Sequence, residues 1–155
     1  MEIVELERLQ LVGLPVRAEW RELWTEMPKA WKKLFEQVAQ INHRHSDRFV
    51  DTSLEVENGV YLQLVGSEVL EVDRVPEGMM AVDVPAQRYI YHRHDGPTAG
   101  IANSFGQIYD WAKANGYNAA EFKLDIGYSA NGNETSHELY VAIQPARGWQ
   151  RINDR

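Results

Sequence analysis

The chain has 155 residues, 44% apolar and 25% charged, which suits one globular domain with a sizeable core and excludes a disordered chain. Asp and Glu number 23 against 16 Lys and Arg, a formal charge of −7, and the densest basic stretch is only Lys29 to Lys33, so no direct nucleic-acid or anionic-membrane surface is expected. The absence of cysteine excludes disulfides and thiolate chemistry. With no signal-peptide pattern at Met1–Glu5 and no long apolar run, a soluble cytoplasmic protein is expected.

Residues 2–18 carry Ile3, Leu6, Leu9, Leu11 and Leu14 in a partly alternating stretch that predicts a strand up to Pro15. Residues 26–43 switch to a helical period, with Trp31, Leu34, Phe35, Val38 and Ile41 on one stripe and Pro28 expected in the first turn. Trp20 and Trp24 then fall between strand and helix, where large aromatics either plug a core edge or line a mouth. A polar bend from His43 to Asp47 leads into strands at about 50–57 and 60–71, joined at Asn58-Gly59, a strong hairpin signal.

The order then repeats. Residues 79–94 read as strand, Asp95-Gly96-Pro97 breaks them, and 98–115 read as a helix with Ile101, Phe105, Ile108 and Trp111 on one stripe and Gly116 as its stop. Strands are predicted at 120–128 and 136–144 around the loop Ser129 to Asn133. Met27–Val38 overlays Ile101–Ala112 without gaps, and Val60, Tyr61, Leu62 and Leu64 fall on Leu139, Tyr140, Val141 and Ile143. The expectation is a single α+β domain spanning 1–155, a tandem pseudo-two-fold repeat of βαββ units. Repeat one covers about 1–73, repeat two about 79–145, and 146–155 form a mobile tail unless Trp149 packs back. The two units share an antiparallel sheet with two main helices, and a groove lies between the halves.

Alternation along the last strand puts Leu139, Val141 and Ile143 on one face and Glu138, Tyr140 and Ala142 on the other. The overlay brings Tyr61 to the place of Tyr140, and Tyr89 and Tyr91 share a face of their own strand. On that pattern alone, Glu138 reads as a solvated strand residue and the tyrosines as amphipathic packers. The pairs His43/His45 and His92/His94 have metal-ligand spacing but lack a third ligand, so no metal or other cofactor is expected. No nucleotide-binding loop, nucleophile elbow or metalloprotease motif is present.

Val84-Pro85-Ala86, Tyr89, Asp95-Gly96-Pro97, Ile108-Tyr109-Asp110-Trp111, Asn115-Gly116-Tyr117 and Glu138-Leu139-Tyr140-Val141 together resemble the GyrI-like, or AraC-type effector-binding, domain. Val12-Gly13-Leu14 fits the same pattern in the first half, and the resemblance covers essentially the whole chain. One position departs from it: Ala142 stands where the family often has proline. The resemblance implies a stand-alone multidrug-type binding module for small amphipathic, cationic or aromatic compounds, serving sensing, sequestration or transcription regulation. It makes Glu138 the counter-charge, with Tyr61, Tyr91, Tyr140 and Trp111 as aromatic walls and Trp20 and Trp24 at the entrance. A carboxylate among aromatic rings is desolvated and seeks a cation, and ring faces add cation–π contacts of roughly 0.5–2 kcal/mol each. Two other readings stay open. One is a hydrolase of reactive xenobiotics with Glu138 as general base, and the other is a module that binds a protein partner. The sequence leaves the oligomeric state open.

Overall fold

The computed structural model describes residues 1–132 and 136–152. The predicted loop end at Asn133 and the last residues of the predicted tail lie outside the described residues. Among the described residues, nine strands form a single sheet: β1 (Glu2–Leu6), β2 (Leu9–Glu19), β3 (Arg44–Glu57), β4 (Val60–Val69), β5 (Met80–Val84), β6 (Gln87–Asp95), β7 (Ala119–Tyr128), β8 (Ser136–Ile143) and β9 (Gln150–Ile152). Two helices, α1 (Trp20–Gln37) and α2 (Ile101–Ala114), interrupt the strands. In space the strands run β1-β6-β8-β7-β3-β4-β2-β5-β9, and every pairing between them is antiparallel. This is an α+β fold with two βαββ units, β2-α1-β3-β4 and β6-α2-β7-β8, joined at the β3/β7 seam.

Both long predicted strands are in fact two. Residues 2–18 break at Glu7-Arg8 and residues 79–94 at Pro85-Ala86, and in each case the short leading strand crosses to the other unit. β1 pairs with β6 and β5 with β2, so each half lends its first strand to its twin. Strands linked by two residues thus sit near opposite ends of the strand order, which requires the sheet to curl. The core reports the same closure. Leu11, Val82 and Val84 pack in one cluster with Tyr89, Phe122 and Ala142 on the face away from the helices. On the other face, α1 covers Val12, Leu14, Val65 and Ala81 with Leu34, and α2 covers Ile90, Leu139 and Val141 with Ile108.

Two glycines permit the curl. Gly13 and Gly66 are register partners in β2 and β4, and a Cβ on Gly13 would lie 2.1 Å from the Val65 carbonyl oxygen. A Cβ on Gly66 would lie 2.2 Å from the Val12 oxygen, so the two backbones approach as only glycine allows.

Local signals account for the remaining boundaries. Asn58 and Gly59, with φ of 53° and 79°, make the tight β3–β4 hairpin, and Gly116 at φ 78° follows the C-cap of α2. α1 begins directly at Trp20, earlier than periodicity predicted, because Glu22 reaches back to accept the Glu19 backbone N–H at 3.0 Å. Trp20 and Trp24 are therefore helical, and Pro28 is inside the helix rather than in its first turn. The tail also differs from expectation: Trp149 packs against the core and β9 pairs with β5. Burial of Trp149 and pairing at the β5 edge offset the ordering entropy of this segment.

Gly66→Ala is expected to cost about 1–3 kcal/mol of stability through overpacking against backbone. Thermal unfolding against an equivalent Ala exchange at solvent-open Gly106 checks this, and equal stability of the two variants would overturn it.

Candidate functional site

Register, rather than residue type, gives the correct overlay of the halves. Asp51 in β3 stands opposite Val65 in β4, and Asp125 in β7 stands opposite Leu139 in β8. The offset that carries Met27 onto Ile101 also carries Asp51 onto Asp125, Val65 onto Leu139 and Gln63 onto His137. The overlay of Tyr61 on Tyr140 is thereby corrected. Matching tyrosine to tyrosine shifts the last strand by an odd number of residues, which exchanges its faces. Tyr61 shares the parity of Gln63 and Val65 on the helix side, whereas Tyr140 packs with Tyr89 on the opposite side.

A cavity of about 540 Å³ opens on the helix side over the β3/β7 seam, a size typical for small-molecule sites. α1 supplies one wall with Trp20, Leu23, Trp24, Met27, Pro28 and Trp31. The start of α2 and the turn before it supply the other, with Thr98, Ile101, Ala102 and Phe105. The floor is polar: Asp51 and Ser53 from β3, Gln63 from β4, Lys123, Asp125 and Tyr128 from β7. Trp24 is 73% and Trp20 55% exposed, and their rings meet edge to face at 6.5 Å on α1. Trp31 stacks on Tyr128 at 4.4 Å, so the α1 wall is tied to the floor. Pro28 has no N–H to return to the Trp24 carbonyl, which frees that oxygen from the helix ladder.

Asp51 and Asp125 are direct register partners across the seam, on the same face. Each accepts a hydrogen bond from the equivalent position of its own half. The Gln63 amide donates to Asp51 Oδ1 at 3.1 Å, and His137 Nδ1 lies 2.7 Å from Asp125 Oδ1. Tyr128 adds a second donor to Asp125, its hydroxyl reaching Oδ2 at 2.6 Å. His137 is fully buried and its Nε2 has no partner among the described residues, so the tautomer with its proton on Nδ1 donates to Asp125 and leaves a lone pair rather than an N–H unpaired at Nε2. Gly127 makes room for that ring, since a Cβ there would lie 2.9 Å from His137 Nδ1.

Burial first, and then the Asp125 charge, push the Asp51 carboxyl up to about 7, against the opposing influence of Gln63 and Lys123. Burial likewise lowers the Lys123 ammonium below its ordinary value. Lys123 Nζ donates to the Glu121 carbonyl at 3.1 Å and lies 5.6 Å from the Tyr109 ring centre and 6.0 Å from that of Phe105.

The sequence-predicted site residues divide into three places. Trp20 and Trp24 line the cavity, and Tyr61 flanks it, 5.6 Å ring to ring from Trp20. Glu138, Tyr91 and Tyr140 form a separate cluster on the opposite face of the sheet. There the Tyr91 hydroxyl donates to Glu138, and the Tyr91 and Tyr140 rings lie 5.2 Å apart. Burial and then Glu138 raise the Tyr91 hydroxyl to about 12. Trp111 stands on α2 away from the cavity lining and stacks on Tyr117 at 5.6 Å. The structure therefore does not bring Glu138 together with Trp20, Trp24 or the cavity. His94, half of one His-x-His pair, has both ring nitrogens engaged, by Ser104 Oγ at 2.7 Å and the Pro97 carbonyl at 2.8 Å. His43 of the other pair faces Asp73 at 2.9 Å. Residue typing missed Asp51, Gln63, Lys123, Asp125 and His137, although extending the gapless helix overlay into the next two strands would have paired the two aspartates.

Comparison with known proteins places this architecture. The family model of Cass2, described as integron-associated effector binding protein, matches residues 2–143. The chain belongs to that family. Effector-binding domains of this kind bind small molecules and are associated with transcription regulators. The fold is shared with a structure of SAV2435 bound to tetraphenylphosphonium, at a TM-score of 0.72, 9% identity and coverage of 92% of this chain and 93% of that one. It is shared also with the integron cassette protein VCH_CASS2 of Vibrio cholerae, at 0.70, 12%, 92% and 95%. The transcriptional regulator BrlR of Pseudomonas aeruginosa is 46% identical over 52 residues, which is 34% of this chain and 19% of the regulator's length.

Because folding raises the Asp51 value from 3.8 to about 7, the folded state holds the proton more tightly than the unfolded chain between those limits. The Asp51 contribution to stability is expected to be complete below pH 3.8 and to be lost as pH rises toward 7. Asp51→Asn should flatten that slope and gain about 1–3 kcal/mol at pH 8, read by denaturant unfolding at several pH values. An unchanged slope would overturn the assignment.

Proposed function

We propose that this effector-binding domain takes amphipathic cationic, often aromatic, molecules into the cavity between α1 and α2. The supporting observation is the pairing of aromatic walls with two carboxylates on one floor. The walls offer ring faces for stacking and cation–π contact, which tolerate varied ligand shapes. The floor offers a desolvated negative charge, which a lipophilic cation satisfies at small desolvation cost to itself. The protein's net charge of −7 adds long-range attraction that speeds encounter. Tetraphenylphosphonium, the ligand named for the structural neighbour SAV2435, has this chemistry and is a suitable probe. Effector occupancy in this cavity serves sensing or sequestration, with transcription regulation as the output where a DNA-binding partner is engaged.

A second reading rests on the Glu138 cluster, because a carboxylate that accepts a tyrosine hydroxyl beside a second ring is also a candidate counter-charge. The two faces of the sheet separate these readings experimentally. Titration of tetraphenylphosphonium by tryptophan fluorescence should be saturable, with quenching reported by Trp20 and Trp24 at the mouth. Asp125→Asn should weaken binding by about tenfold or more, and Glu138→Gln should leave it within about twofold. Neutral triphenylphosphine oxide should bind much more weakly than the cation. Loss of binding in Glu138→Gln with Asp125→Asn unaffected would transfer the site to the opposite face.

Trp24→Ala tests the mouth. Its ring is exposed, so the variant is expected to keep wild-type stability while losing about threefold to tenfold in affinity, the worth of one ring contact. Isothermal titration beside thermal unfolding gives both quantities, and unchanged affinity would remove Trp24 from the site.

A further inference from the structure

The duplication that builds the cavity floor has made its two carboxylates unequal. Asp51 and Asp125 occupy equivalent places and face each other across β3/β7, yet their donors differ. Asp125 accepts from Tyr128 on one oxygen and from His137 on the other, and the vacant His137 Nε2 keeps the shared proton on the Asp125 side of the ring. Those two donors suit a carboxylate and would oppose a carboxylic acid. Asp51 has the Gln63 amide alone, and the Gln63 carbonyl oxygen is buried without a partner among the described residues. An amide suits either protonation state. Its N–H₂ donates to an ionised Asp51, and after a half-turn its oxygen accepts from a protonated one.

We infer that the cavity exchanges one proton for each monocation it binds, with Asp51 as the group that releases the proton and Asp125 as the standing carboxylate. The inference rests on the proposed cation site and deepens it. Without ligand, two like charges in register partners on an aromatic-walled floor repel, and a proton on Asp51 relieves them. A lipophilic cation supplies the missing positive charge, the proton leaves to solvent, and Asp51 becomes a second counter-ion. In acid the cation competes with that proton, so affinity for cations rises with pH while affinity for neutral ligands does not. The site then discriminates a cation from its neutral isostere by a margin set by pH.

The groups that face Asp51 define what else must be separated. β7 presents Asp125 and Lys123, β4 presents Gln63, and β8 reaches the pair through His137. The cavity-lining side chains of α1 and α2 and of the turn before α2 are apolar or hydroxylic: Trp20, Trp24, Trp31, Thr98, Ile101 and Phe105 among them. Lys123 is the rival for proton release, because burial lowers its value and a bound cation would lower it further.

Isothermal titration with tetraphenylphosphonium at each pH, in two buffers that hold that pH but differ in ionisation enthalpy (phosphate and Bis-Tris in the acid range, borate and Tris in the alkaline range), measures protons released as the difference in apparent heat. Wild type is expected to release close to one proton near pH 6 and little at pH 8.5, with Kd weakening up to about tenfold per pH unit below neutrality. Asp51→Asn should still bind, through Asp125, with no proton release and a flat pH profile. Lys123→Gln should retain the release and move its midpoint upward, since a group that favours the ionised Asp51 has been removed. Carboxyl-carbon NMR of the wild type gives a check that needs no variant: the Asp51 resonance should titrate near neutrality and shift its midpoint down when the ligand saturates.

Saturable binding without proton release, or release that survives in Asp51→Asn and vanishes in Lys123→Gln, would overturn the exchange and leave the binding site standing. Absence of saturable binding at every pH would instead overturn the cation site itself.

Discussion

Two aspartates placed opposite each other at the centre of one sheet are the constraint on which the rest of this molecule turns. Asp51 and Asp125 sit where the two halves join, so the seam that unites the domain is also where two carboxyl groups meet. Left in a packed core, that pair would cost several kcal/mol per ion. The fold meets the cost by giving each carboxylate its own donor and by keeping the α1 and α2 stripes apart above the seam, which leaves a cavity instead of a third helix–sheet core. Under the proposed function, the destabilisation at the floor is what a bound cation would relieve.

The curl of the sheet underlies this arrangement. Exchange of β1 and β5 between the halves ties the ends of the strand order together, and the apolar cluster on the far face fills the inside of the curl. Gly13 and Gly66 let the β2 and β4 backbones approach closely. Neither half completes its sheet without a strand from the other, so the seam cannot open without cost to both. A floor built on such strands places its charges more exactly than loops do, and in the proposed function the exposed indoles of α1 would supply the adaptable part of the site. The proposed division of labour is a fixed charge below and tolerant rings above.

Much of the fold was legible because periodicity and turn chemistry act locally. The α1 and α2 stripes, the Asn58-Gly59 hairpin and the Gly116 stop all appear where residue patterns place them. The breaks at Glu7-Arg8 and Pro85-Ala86 were not legible, since a strand continuing in its own half and one crossing to its twin have the same alternation. The site was harder still. Tyr61 and Tyr140 look equivalent as letters, but the hydrogen-bond register puts them on opposite faces, and with Tyr140 goes Glu138. The two overlays of the last strand differ by five residues, and it was the family resemblance that made Glu138 the central carboxylate. The aspartates themselves were hidden because an Asp inside a strand ordinarily signals a solvated face.

Composition, the acidic charge, the duplicated strand–helix–strand–strand order and the resemblance to an effector-binding domain are properties of the sequence by itself. They follow from short-range preferences and from patterns that survive without knowing which strands touch. The tertiary structure alone decided that β1 and β5 change halves, that Glu138 and the cavity lie on opposite faces of the sheet, and that Asp51 meets Asp125. Those outcomes depend on strand register between residues far apart in the chain. A period of two in sequence says which residues share a face, and only pairing says what that face looks upon.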